Sequence, residues 1–188
     1  MRLPSMDTLQ KEEMLSKCFN YFVEYGLEGV TMRNLCDQTG IAVSSAYYWF
    51  GNKDNMLIQA TEWGLKQVSE KLFSFVYKYI DNLECIILTF PEYVMKHKEQ
   101  VRFIYQLATS KKYGSDMRPI ANRLINVYDN YCSQIAVDFG CDSKELQPYV
   151  YLFISAVLDY VIWNDKEKIE IEIACIFKSI NSLIKKDN

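Results

Sequence analysis

The side chains that carry out most covalent chemistry are few and scattered in this chain. There is one histidine, His97, set among Lys96, Lys98 and Glu99 on what reads as a solvated helix end. A zinc site or a histidine-based triad therefore lacks its parts. Cys18, Cys36, Cys85, Cys132, Cys141 and Cys175 are spread along the sequence with no Cys-x-x-Cys pair, and most fall on apolar helix faces. They read as reduced core residues of a cytoplasmic protein. Paired carboxylates, a nucleophile–base set and a phosphate-cradling loop are all missing, which argues against an enzyme and implies no cofactor. What remains is one dense stretch, Val30 to Lys53. It holds Thr31, Arg33, Ser44, Ser45 and Lys53 together with three consecutive aromatics, Tyr47, Tyr48 and Trp49. Three adjacent rings on a helix cannot all point inward, so at least one faces outward.

The elements that must position this stretch are helices. Seven glycines and four prolines in 188 residues favour long helices over a turn-rich β fold. The first helix is bounded by Asp7 with Gln10, a capping box, and by Gly26. Met14, Leu15, Cys18, Phe19, Phe22 and Val23 line one of its faces. Two short helices follow. Thr31 caps the first, with Leu35 and Cys36 inward, and Gly40 ends it; the second runs from about Val43 to Trp49 between the apolar anchors Ile41 and Phe50. Glycine between two short helices is what a sharp helix-turn-helix needs. Asn52 then caps the first of six helices that the pattern predicts, over about 54–79, 81–97, 99–111, 116–139, 144–163 and 166–186. Pro91 should kink the second of these. The last two carry the apolar sets Leu152, Phe153, Ala156, Val157, Tyr160, Trp163 and Ile169, Ile173, Ile176, Phe177, Ile180, Leu183, Ile184. Such surface fits either an internal core or a homodimer seam. The longest apolar run, Tyr149 to Trp163, is 15 residues and contains Asp159. That is short of the roughly 20 a bilayer requires, so a buried helix is the better reading and no membrane is expected. No signal peptide is evident at the start.

The stretch Val30 to Lys53 resembles the TetR family of bacterial transcriptional regulators. Matches to the family pattern fall without a gap at Thr31, Leu35, Gly40, Ile41, Tyr47, Phe50, Asn52 and Lys53, and Phe22-x-x-x-Gly26 ahead of them belongs to the same pattern. The motif likeness spans about residues 8–58; beyond it the likeness is one of length, helix count and a closing pair of apolar helices. The resemblance implies an all-α fold of about nine helices. A three-helix helix-turn-helix DNA-binding domain, 1–53, would precede a helical effector-binding and dimerisation domain, 54–188. It implies a ligand-responsive repressor binding a near-palindromic double-stranded operator as a homodimer, with an unidentified small-molecule effector. Thr31, Tyr47 and Lys53 would touch phosphates. Val43, Ser44 and Ser45 would open the recognition helix toward base edges, Tyr48 and Trp49 would stand at its other end, and Arg33 would read a base.

Two departures from the pattern stand out. Ala42 replaces the usual serine cap, at a cost of ~1 kcal/mol unless Ser44 or Ser45 starts the helix instead. Val43 stands where lysine is common, so the recognition helix holds no cation. Residues 1–64 carry Arg2, Lys11, Lys17, Arg33 and Lys53 against eight carboxylates, a net of −3 equal to that of the whole chain. A DNA-binding segment should show a basic patch, so its cations must be focused on one surface. In the C-terminal half, Trp63, Phe90, Tyr93, Phe103, Tyr105, Tyr128, Phe153 and Asp159 are candidates for an aromatic effector pocket. Leu152, Ala156, Tyr160, Ile169, Ile173, Ile176, Phe177, Ile180 and Leu183 are candidates for the dimer seam. The alternative is a helical ligand-binding or protein-interaction module of the same fold that no longer binds DNA, which the acidic N-terminal segment favours.

Overall fold

The computed structural model describes residues 6–184, and among them it forms nine helices and no strand. The stripe expected ahead of Gly26 becomes α1, Met6–Tyr25, with Met14, Leu15, Cys18, Phe19 and Phe22 buried. Gly26 closes it, its amide donating to Phe22 O at 2.9 Å. The side chain of Asp7, the expected cap, lies outside the described residues, as does Arg2. Helix α2, Met32–Thr39, and helix α3, Val43–Phe50, follow, joined at Gly40 with φ 70°. An L side chain is strained at that angle, so the tight turn depends on glycine. Eight residues cannot hold a helix alone in water. Here α2 packs against α1 and α3, burying Met32, Leu35 and Cys36 from one side and Ala46 and Phe50 from the other.

The remaining helices are α4 (Lys53–Lys78), α5 (Leu83–Met95), α6 (Lys98–Thr109), α7 (Gly114–Phe139), α8 (Ser143–Trp163) and α9 (Lys166–Ile184). Their ends are chemically marked. Asn52 Oδ1 accepts from Asn55 N at 2.8 Å, Asn82 Oδ1 from Cys85 N at 3.0 Å, and Asp142 Oδ1 from Lys144 N at 2.9 Å. Asn164, at φ 56°, ends α8 in the left-handed region. Pro91 lies inside α5, as expected, and is buried.

The chain divides into two compact units, residues 1–69 with 103–118, and residues 70–102 with 119–188. The division expected at 53/54 instead meets the first turn of α4. In the first unit the Phe103 ring lies nearly parallel to Phe22 (centroids 6.5 Å apart, 8° between planes) and edge-on to Phe19 at 6.0 Å. Part of α6 thus completes the core under α1. The second unit is built on α5, α8 and α9. Phe90 joins Phe153 at 5.0 Å and Phe75 at 5.7 Å, and Tyr93 stacks on Phe75 at 4.4 Å. Arg102 Nε donates to Val161 O at 3.0 Å, satisfying a free carbonyl in the last turn of α8. By length and composition α8 could cross a membrane, but Leu146, Val150, Phe153, Ala156, Val157, Tyr160 and Val161 are buried against its neighbours in this fold.

His97 is not on a solvated end. It is half-buried, edge-on to Tyr93, with Nδ1 3.1 Å from Gln100 Oε1, and burial holds its pKa below the ordinary value. Of the cysteines, Cys18, Cys36 and Cys132 are buried; burial pushes the Cys18 thiol up to about 12 and Cys132 up to about 11. Cys175 departs from the core expectation and is exposed.

Candidate functional site

Helix α3 presents one open face. Val43, Ser44, Tyr47 and Tyr48 are exposed at spacings of one, four and five residues, while Ala46 and Phe50 turn inward. Tyr48 is 80% exposed, the outward ring that three consecutive aromatics required. Ser45 and Trp49 sit at the edges of this face, half-buried. Helix α3 begins at Val43 with Ala42 as its cap and no side-chain capping bond, so neither Ser44 nor Ser45 shifts the start. The Trp49 ring lies edge-on to Tyr48 at 5.2 Å and carries the Lys11 ammonium 5.7 Å from its centroid. The cation missing from α3 is supplied beside it by α1, a contact that no local pattern announces.

The other expected residues lie on the neighbouring elements, Thr31 and Arg33 at the start of α2 and Lys53 at the start of α4. Thr31 is exposed, and its Oγ1 accepts from Asn34 N at 3.1 Å, capping α2 while leaving the hydroxyl proton free to donate. Arg33 is exposed and makes no ion pair among the described residues. Lys53 is half-buried, and its ammonium donates to Val30 O at 2.8 Å. One of its three donors therefore fastens the start of α4 to the segment ahead of α2. Next to it Asp54 accepts from Lys112 Nζ and from Tyr113 OH, each at 2.8 Å, and these donors hold its carboxyl below the usual range. The acidic surplus of residues 1–64 is offset in the same way. Lys66, Lys111, Lys112 and Arg118 against Asp116 join this compact unit and cancel its deficit of three charges.

The expected effector-pocket residues fall in both compact units. Trp63 packs edge-on against Phe19 at 6.3 Å, and Phe103 is core beneath α1. Phe90 and Tyr93 belong to the ring cluster of the second unit; Tyr105 is exposed, and Asp159 is paired with Lys168 at 2.6 Å. The side chain of Tyr128 lies outside the described residues. Among the described candidates, Phe153 lines an apolar cavity. That cavity, about 70 Å³, sits in the second unit with walls from Phe73, Val76, Leu146, Val150, Ile176 and Phe177. Its polar lining is Tyr77, Tyr149 and Asn181; Tyr77 and Asn181 are exposed, which marks the opening. Tyr77 OH donates to Asp138 at that opening, and the bond pushes the phenol's pKa up. Sequence reasoning missed these wall residues because apolar side chains at helical spacing read as plain core.

Most of the expected dimer residues are covered within the chain itself. Ala156, Tyr160, Ile169, Ile173, Ile176 and Phe177 are buried within the chain and Ile180 is half-buried, because α9 lays this stripe against α5 and α8. Periodicity identifies a buried face but not what buries it. Leu152 alone is open, 54% exposed, and Leu183's side chain lies outside the described residues. The outward side of the pair instead shows Tyr151, Leu152, Ile162, Trp163 and Ile171, with a groove lined by Ser155, Asp159, Lys168 and Cys175. In that groove Glu172 Oε2 is buried and has no hydrogen-bond partner among the described residues.

Residues 15–60 match the family described as bacterial regulatory proteins, tetR family. Over its whole length the chain is similar in fold to a TetR-like transcriptional regulator from Rhodococcus sp. RHA1. The TM-score is 0.52 at 15% identity, covering 99% of this chain and 98% of that one. Among curated proteins none matches the chain.

Proposed function

Since this chain carries a TetR-family helix-turn-helix domain and has the fold of a TetR-like regulator along its length, we propose that it is a repressor. In this reading it binds a near-palindromic DNA operator as a homodimer and releases it on binding a small molecule. Residues 1–53 do the DNA work, 54–188 the ligand and dimer work, and the protein acts in the bacterial cytoplasm. The observation that carries the reading is the open α3 face, Val43, Ser44, Tyr47 and Tyr48, standing on a buried Ala46 and Phe50. Val43, Ser44 and Ser45 lie against base edges, with Tyr48 and Trp49 at the far end of the groove contact. Arg33 pairs with a guanine, while Thr31, Tyr47 and the free donors of Lys53 hold phosphates. Two such helices related by a two-fold axis read half-sites about 34–36 Å apart, or a multiple of that.

The homodimer reading rests on the outward face of α8 and α9. Trp163 is 74% exposed and Ile171 56%, an apolar patch that a second copy would cover. A donor from that copy would also satisfy Glu172 Oε2. Release follows if the effector binds better to the dimer whose heads are wrongly spaced for the operator.

A second reading, the same fold without DNA binding, is favoured by the absence of any cation on α3. Selection from a random duplex library, followed by a salt titration, separates the two. The repressor enriches a two-fold consensus and loses affinity steeply as salt rises, because phosphate contacts release counterions. No enrichment at low salt would leave only the second reading.

A further inference from the structure

We infer that the effector site is the apolar cavity in the second unit and that it takes a slender, uncharged molecule, an alkyl chain ending in a neutral polar group. The inference rests on the reading of the chain as a ligand-responsive regulator and supplies the ligand's chemistry. None of the described residues lining the cavity is charged. Away from Tyr77, Tyr149 and Asn181 its walls are aliphatic and phenyl carbons, so water among them would lack the two to four polar partners it needs. An unfilled void of this kind lowers stability in proportion to its volume, and an apolar guest restores the missing contacts.

Size narrows the guest. At about 70 Å³ the space is less than half the ~150 Å³ apolar cavity that accepts benzene. A guest therefore seats only part of itself there, and an alkyl chain, narrower in cross-section than a ring, does so with its remaining length at the opening beside Tyr77 and Asn181. Polarity orients it. The Tyr149 hydroxyl and the Asn181 amide lie only on the partly exposed side of the lining, suited to one hydroxyl or carbonyl at the end of the chain. Charge excludes acids. Asp138 stands at the opening, bonded to Tyr77 and 3.4 Å from Gln134 Nε2, and among the described residues no cation lines the cavity to pair a carboxylate.

The test is a thermal unfolding series on the intact protein without DNA, using 1-hexanol and hexanoate as probes. At several times its Kd, 1-hexanol should raise Tm by about 2–4 °C, against the general destabilising action of alcohols, and hexanoate should not. Val150→Leu, which fills the space with one more methylene, should keep or raise the ligand-free Tm and lose the hexanol response. Should that variant fold poorly, Phe177→Leu supplies the converse: a lower ligand-free Tm with a larger response and a new response to toluene. No rise in the parent protein, or a rise of equal size in Val150→Leu, overturns the assignment. So does an equal response to hexanoate. If the shift is found yet hexanol leaves operator affinity unchanged, the cavity stands and the coupling to DNA falls.

Discussion

Gly64 shows how much a single position can hide. Inside a helix, glycine costs about 1 kcal/mol relative to alanine, so α4 gains nothing locally from it. A Cβ at that point, however, would lie 2.3–2.5 Å from the ring of Phe19, which α1 buries there. Gly64→Ala should therefore destabilise the protein by about 1–3 kcal/mol, seen as a lower urea midpoint at unchanged slope. Phe19→Leu in the same chain should recover part of the loss. At the α3 face the residues divide by role. Arg33→Ala should relax the selected consensus at particular positions, whereas Tyr47→Ala should weaken all sites alike. A consensus untouched by Arg33→Ala would remove the base-reading assignment. Lys53 is more than a surface cation, since its bond to Val30 O gives it a structural share. Its place in the motif could be read from the sequence, but not the carbonyl 23 residues earlier that it holds.

At the scale of elements, the boundaries were largely legible because caps are local chemistry. Thr31, Asn52, Asp142, Gly40 and Asn164 each act within a few residues of their own position. The partners of an element were not legible. Expected helix starts and stops therefore fell close to the observed ones, while the division at 53/54 did not match the compact units. A fragment of residues 1–53 should not fold alone, because Phe19 and Phe22 lose Phe103. Circular dichroism of that fragment should show little helix, and a fully helical, cooperatively melting fragment would contradict the packing described. The first turn of α4 also makes a pH prediction. Asp54 is held below its ordinary pKa chiefly by the hydrogen bond from Lys112 and then by Tyr113. The unfolded chain lacks these donors, so the stabilisation is complete above the unfolded carboxylate value, roughly 3.9. It is lost as pH falls through the lower folded value. Asp54→Asn should flatten that acid limb of the stability curve. The effect is small, since the two side chains of the ion pair are 48% and 62% exposed and solvent screens them.

For the whole molecule, the outward and inward faces of α8 and α9 make opposite predictions. Leu152→Glu combined with Ile171→Glu should leave the helix content intact and yield monomers in sedimentation velocity at micromolar concentration, with operator binding lost in parallel. Ile169→Glu, on the buried face, should unfold the protein instead. A double variant that stays dimeric would move the seam elsewhere. Charge, too, is settled at this scale. Read linearly, residues 1–64 are acidic, but the unit they fold into also takes in Lys66, Lys111, Lys112 and Arg118.

The order of residues by itself determined the all-helical class, the turn at Gly40, the caps, and the motif from Thr31 to Lys53. These depend on backbone geometry and side chains only a few positions apart. Tertiary structure alone decided that Lys11 rides on Trp49, that Phe103 completes the core under α1, and that a cavity opens between α4, α7, α8 and α9. It also decided which face of the last two helices stays open. Packing joins side chains far apart along the chain, and helical periodicity fixes the direction in which a side chain points but not what it meets there.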